Sequence, residues 1–214
     1  MSYFSERNIS LKIKNIKIKN DCYINCKSVF YFAQNSINQY ENYEFFIGIN
    51  KLLGEIDSGN WGISYLISMY PYLSYLDKKL IFQPPNAIVN NETLSLIELA
   101  KHTCYMDRIY PLFSKKKAVR TLVTKGLKKY HSKETAENIR DMFHIDSERF
   151  ERPLSGIGNE IFKAMAAIGF SHEKQVFCFP WLSKMRFEYY HGNMTDVLNV
   201  LESLGKIIIL PVGK

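Results

Sequence analysis

The chain has 214 residues and a formal net charge of +7; 46% of it is hydrophobic and 23% charged. These are globular proportions, with core enough for one large domain or two small lobes, which excludes a disordered or fibrous chain. No run approaches the ~20 apolar residues of a bilayer-spanning helix. Residues 1–20 are too polar and lysine-interrupted for a secretory signal, so the reading is cytosolic.

In chain order, residues 9–18 alternate apolar and polar, which predicts a half-buried strand. Ile16 and Ile18 are out of step with Leu11 and Ile13, so a bulge is expected near Asn15. Residues 28–32 and 43–49 are aromatic and β-branched and read as further strands. The four cysteines, Cys22, Cys26, Cys104 and Cys178, are scattered. Cys22 and Cys26 lack a second Cys/His pair, so reduced thiols and no metal site are expected.

The apolar run Phe45 to Leu53 then meets a glycine-bounded turn. Gly54 and Gly59, with Ser58 between them, have the glycine spacing of the phosphate-binding Walker A loop, G-x-x-x-x-G-K-[ST]. Asn60 stands where the lysine belongs and Trp61 where the Mg-binding hydroxyl belongs. A helix of about two turns follows and ends before Pro71. Leu80–Phe82 reads as a short strand, Asn90–Asn91 as a turn, 93–101 as a helix and 103–106 as a strand.

From Ser114 to about Phe150 the pattern turns helical and charged, with Val119, Leu122, Val123 and Leu127 at helical spacing. Between Lys115 and Lys133 stand eight Lys/Arg residues and no acid, which reads as a solvated face. Base-reading signatures are absent, so nucleic acid is not an expected partner. A helix through Ile161, Phe162, Met165 and Ile168 follows, then a buried strand at 176–179, a helix at 195–204 and a buried strand at 206–210. The alternation predicts an α/β fold with a largely parallel sheet.

At Leu154-Ser155-Gly156-Ile157-Gly158 the chain resembles the LSGGQ signature of the ATP-binding-cassette (ABC) ATPases. Val176 to Phe179 is similar to that family's Walker B strand, and Tyr105-Met106-Asp107 with Tyr110 to Phe113 and Ala118-Val119-Arg120 to its Q-loop region. Gly205 to Leu210 is similar to its last core strand. The order matches from about residue 9 to Gly213. The resemblance implies a P-loop NTPase-like α/β domain over 1–214. It would have a largely parallel core with an antiparallel β edge in 1–103 and 153–214, and a helical subdomain over about 104–152.

The departures from the family are systematic. Besides Asn60 and Trp61, Asp107 stands at the Q-loop glutamine, Pro180 and Trp181 at the Walker B aspartate and catalytic glutamate, and Gly213 at the switch histidine. Phosphoryl transfer needs cations on the phosphate oxygens and a base for water. The resemblance therefore implies no catalytic residue here, ATP bound weakly or not at all, and no Mg site. Ser155, Gly156 and Gly158 would serve as a signature lent in trans; alternatively, Ser155 is simply a helix N-cap supported by Glu160. Tyr31 or Phe32 reads either as an adenine-stacking aromatic or as core, and Trp61 and Trp181 together would fill the emptied phosphate site.

The function implied is a degenerate ABC transporter subunit with impaired hydrolysis, a structural or regulatory partner of a transport complex. Its partners would be a separate membrane-spanning subunit and a second ATPase subunit, identical or different, which would hold it at the inner face of the membrane. Two readings stay open beside it: an interaction module that lost nucleotide, and an active ATPase whose motifs stand in a shifted register.

Overall fold

The computed structural model describes residues 10–18, 41–53, 64, 67–72, 81–83, 86–90, 92–107 and 113–213. Four parallel strands form the centre, in the order β3 (Gly48–Leu53), β9 (Ile207–Val212), β8 (Val176–Cys178), β7 (Thr103–Tyr105). Every residue of β7, β8 and β9 is buried. Such strands have no polar face to alternate with, so they read as unbroken apolar runs.

The antiparallel strands expected beside the parallel core form a second sheet. It pairs β1 (Ser10–Ile18) with β2 (Glu41–Phe46), β4 (Ile81–Gln83) and β5 (Asn86–Val89), and β5 with β6 (Glu92–Leu94). The register of β1 against β2 shifts between Ile13 and Ile16, where the alternation of the sequence breaks. The run from Phe45 to Leu53 is two strands, not one. Phe45 is buried and Phe46 exposed in one sheet, and Gly48, at φ +96°, turns the chain into the other. The Asn50 side chain ties this joint: Oδ1 accepts from Phe46 N at 3.0 Å, and Nδ2 donates to Phe46 O at 2.8 Å and Ile208 O at 3.1 Å.

Ser64 and Ile67–Met69 are helical and buried, and a single 3₁₀ turn, Tyr70–Tyr72, carries the chain through Pro71. Helix α1 is Leu96–His102; Ser95 caps it, its Oγ accepting from Glu98 N at 3.2 Å, so Thr93 and Leu94 of the expected helix belong to β6. Helices α2 (Val119–Lys129), α3 (Ala136–Met142) and α4 (Ser147–Phe150) fill the charged stretch. The lysines there are exposed as expected, and Arg120 pairs with Glu137 and Glu151.

Helix α5 (Ile161–Ser171) is buried at every position except Phe170, which is partly exposed. It packs on β7 and against α6 (Lys184–Ser203), which covers β9 and β3. Helix α6 starts eleven residues before the expected Thr195, capped by Ser183. Its first half buries too little to leave a helical stripe: the buried residues are Met194, Val197, Leu198 and Leu201. The strand at 28–32 and Asn91 lie outside the described residues.

The fit of α5 on the sheet turns on Gly169, where a Cβ would come within 2.8 Å of Phe177 Cε1 and 2.9 Å of Cys104 Sγ. Gly169→Ala should therefore cost about 1–3 kcal/mol in urea unfolding, the range for overpacking a tight interior.

His172, just past α5, is packed by the rings of Phe113 and Tyr130 at 5.2 and 6.3 Å. Burial holds its pKa below the ordinary 6.5, with Lys174, Lys129 and Lys125 pushing the same way and the Leu122 carbonyl opposing. Burial lowers His102 as well, followed by Lys174. The unfolded chain takes these protons near 6.5 and the folded chain only at lower pH. Their contribution to stability is therefore full above 6.5 and lost as the pH falls through the lowered values. Urea midpoints should decline below about pH 6.5, and less steeply in a His102→Gln, His172→Gln variant.

Candidate functional site

Parallel strands open their ligand crevice at the carboxyl edge of the sheet. β3 ends there at Leu53, and beyond the other three ends lie Met106 and Asp107 after β7, Phe179, Pro180 and Trp181 after β8, and Gly213 after β9; among the described residues these are the continuations. Met106 N donates to Cys178 O at 2.9 Å and Asp107 N to Tyr105 O at 2.8 Å, which fixes the β7 end. Asp107 is half-buried at that end.

The β8 and β9 ends are stitched together beyond the strands. Phe179 N donates to Ile209 O at 2.9 Å, Leu182 N to Pro211 O at 3.2 Å, and Gly213 N to Leu182 O at 2.9 Å. This stitching lays the Trp181 ring against Gly213, where a Cβ would stand 3.0 Å from Trp181 Cζ2 and 3.4 Å from Lys184 N. Two positions 32 apart in sequence therefore share one space, and a side chain at 213 has to displace the indole by a few tenths of an ångström. The indole Nε1 is buried and has no hydrogen-bond partner among the described residues. From Val176 to Ser183 there is no carboxylate, so the β8 end offers no oxygen of that kind to a metal or to a water proton.

Helix α5 begins near this same edge, with Phe162 beside Phe179 at 5.4 Å between ring centroids. The sequence places Ser155 at the start of that helix, either as its cap or at its dipole. The structure corrects both. Regular helix starts at Ile161 after two separate 3₁₀ turns, Leu154–Gly156 and Gly158–Glu160, and the N-cap residue Glu160 makes no side-chain cap bond. Ser155 is instead held by its backbone: Ser155 N donates to Lys115 O at 3.0 Å and Leu154 N to Lys117 O at 3.1 Å. Its neighbourhood is open, for Ser155, Gly156 and Gly158 are exposed and no atom of the described residues lies within 4 Å of a Cβ at Gly156. Gly158 has φ +68°, a conformation that an L side chain such as glutamine would strain. The three residues form a surface loop beside the exposed lysines 115–117.

Gly54, Ser58, Gly59, Asn60 and Trp61 lie outside the described residues, as do Tyr31 and Phe32. The buried Ser64 Oγ, on the helix that follows the loop, has no hydrogen-bond partner among the described residues. Sequence reading missed the Trp181–Gly213 contact, since nothing local to either residue signals the other. It also missed two buried lysines. Lys163 donates to His144 O at 3.1 Å and pairs with Asp196 at 3.4 Å, and Lys174 donates to Lys101 O.

No family model and no curated protein matches the sequence. Solved structures do match the fold. An ABC transporter ATP-binding protein from Pyrococcus furiosus aligns over 96% of this chain and 90% of its own, with TM-score 0.57 at 13% identity. The ATP-binding cassette MJ0796, solved as a dimer in a post-hydrolysis state bound to ADP and Pi, aligns over 95% and 87% with TM-score 0.56 at 14% identity. The ATP-binding subunit of another ABC transporter aligns over 95% and 79% with TM-score 0.53 at 12% identity. The chain has the fold of the ABC ATP-binding cassettes, an α/β architecture of the P-loop NTPase kind.

The shared space at 181 and 213 makes a test. In a Trp61→Phe background, Gly213→His should lower stability by about 1–3 kcal/mol in urea and red-shift Trp181 fluorescence. Adding Trp181→Ala should recover part of the loss.

Proposed function

We propose that the chain is a degenerate ABC transporter ATP-binding-type subunit, impaired in hydrolysis at its own site, that works as a structural or regulatory partner of a transport complex. The observation that carries this reading is the carboxyl end of β8. On a cassette fold that edge is the place for a metal-binding carboxylate and a base, and here Pro180 and Trp181 follow Phe179, with the indole packed on Gly213. Asn60 and Trp61 in the preceding loop point the same way, since neither supplies a cation or a Mg-binding hydroxyl. ATP then binds weakly or not at all, and Mg is not held.

The exposed Ser155–Gly156 loop supports a role in trans, because an open hydroxyl and an unobstructed glycine can approach a phosphate held by another subunit. The dimer of MJ0796 with ADP and Pi supplies the pattern for such pairing. The membrane-spanning subunit is a separate chain, docking beside residues 105–113, and through it the protein sits at the cytoplasmic face. Among the described residues no helix is long and apolar enough to cross a membrane.

Nucleotide titration and turnover test the proposal. The purified chain alone should show no hydrolysis. Mixed with the competent cassette with which it assembles, it should support hydrolysis that Ser155→Arg lowers by about 10²-fold or more, the scale of a lost transition-state contact. Tight Mg-ATP binding with turnover by the chain alone overturns the reading. Binding under no condition leaves the interaction module in its place.

A further inference from the structure

The opposite, amino edge of the parallel sheet holds a second feature that the nucleotide reading does not use. Just before β7 stands the C-terminal turn of α1, and just before β8 stands Lys174. Between them, the C-terminal turn of α2 and the Tyr70–Tyr72 turn lies a cavity of about 370 Å³, whose lining includes Pro71, Tyr72, Ile97, Tyr130, Lys129 and Lys174. We propose that this cavity binds a small ligand that joins an anionic group to a flat apolar body, an aryl phosphate or aryl carboxylate, with Lys174 and Lys129 taking the charge.

Lys174 is 4% exposed, and a buried ammonium normally faces a carboxylate. Its hydrogen-bond partner among the described residues is the neutral Lys101 carbonyl, which uses one of three N–H groups. The titratable groups near it are Lys129 and Lys125 on α2, His102, Lys101 and Glu98 on α1, the Cys104 thiol on β7, His172 after α5, and the phenols of Tyr72 and Tyr130 in the cavity wall. The one carboxylate among them, Glu98, is held by Lys101 through both oxygens at 2.7 and 2.9 Å. Among the described residues, two ammonium groups therefore share one cavity without a counter-ion of their own.

The walls set the rest of the ligand. Lys129 Nζ lies 4.9 Å from the centre of the Tyr130 ring, and Pro71, Tyr72 and Ile97 complete an apolar surface that suits a planar body. Burial, with Lys129 adding to it, lowers the Lys174 pKa to about 8. An anion favours the charged amine and pulls that value back up. Binding is thus stronger at neutral pH than above pH 8, takes up a proton near pH 8, and weakens as the amine deprotonates above it.

The experiment is calorimetric titration of the full chain with phenyl phosphate, whose second pKa of about 6 leaves it mainly doubly charged over the range used. One saturable site is expected at about pH 7, weaker by about tenfold at about pH 9.5. Lys174→Met should abolish it, Lys129→Ala should weaken it by about fivefold, and inorganic phosphate should bind about tenfold more weakly than the aryl ester. Ser155→Arg, at the other edge, should leave it unchanged, so failure of the nucleotide reading and failure here are separable. Equal affinity in wild type and Lys129→Ala, or no saturation by phenyl phosphate at about 10 mM, overturns the proposal; either result stands even where Lys174→Met does not fold.

Discussion

Everything in this fold is referred to the burial of two short strands. Every residue of β8 and β9 is buried, and each fully buried Ile, Leu, Val or Phe is worth about 1.5–3 kcal/mol. That gain is available only if helices press closely on the sheet. α5 does so because position 169 has no side chain, and its nearly complete burial leaves it little freedom to shift. Once the strands are fixed in parallel, their carboxyl ends must emerge together, and so a handful of residues distant in sequence are brought onto one line. The amino ends emerge together too, on the far side, and there lysines gather.

How much of this is legible in the sequence depends on whether the signal is local. The strands 176–179 and 206–210 are unbroken apolar runs, and α5 repeats its large residues at helical spacing, so both are readable from the residues alone. The order of elements is readable because single weak motifs fall in one sequence. Helix α6 is only half readable, since a helix that buries one end carries a stripe at that end alone. The joint at Ile47–Gly48 is hidden because an apolar run looks the same whether one sheet or two bury it; only the positive φ of Gly48 separates them. The start of α5 is misplaced because Ser155 and Glu160 imitate a capping pattern that the intervening 3₁₀ turns do not allow.

Charges read well where they face solvent and poorly where they do not. The lysines of 115–133 form an exposed face, and their number alone indicates it. Lys163 and Lys174 look like any other lysine in the sequence, yet each is buried and bound to a main-chain carbonyl. Burial of a long cation is a property of what surrounds it in space, and those surroundings come from elements up to 73 residues away.

The packing of Trp181 on Gly213 has a historical consequence. Residues that share one space do not drift independently: a larger side chain at 213 is admissible only after the indole has given way, while a smaller one at 181 leaves a void until 213 grows. The order of substitutions along any lineage is therefore constrained, and a route to a larger residue at 213 passes through 181 first. Such a pair works as a ratchet, holding the carboxyl edge of the sheet in its present packing.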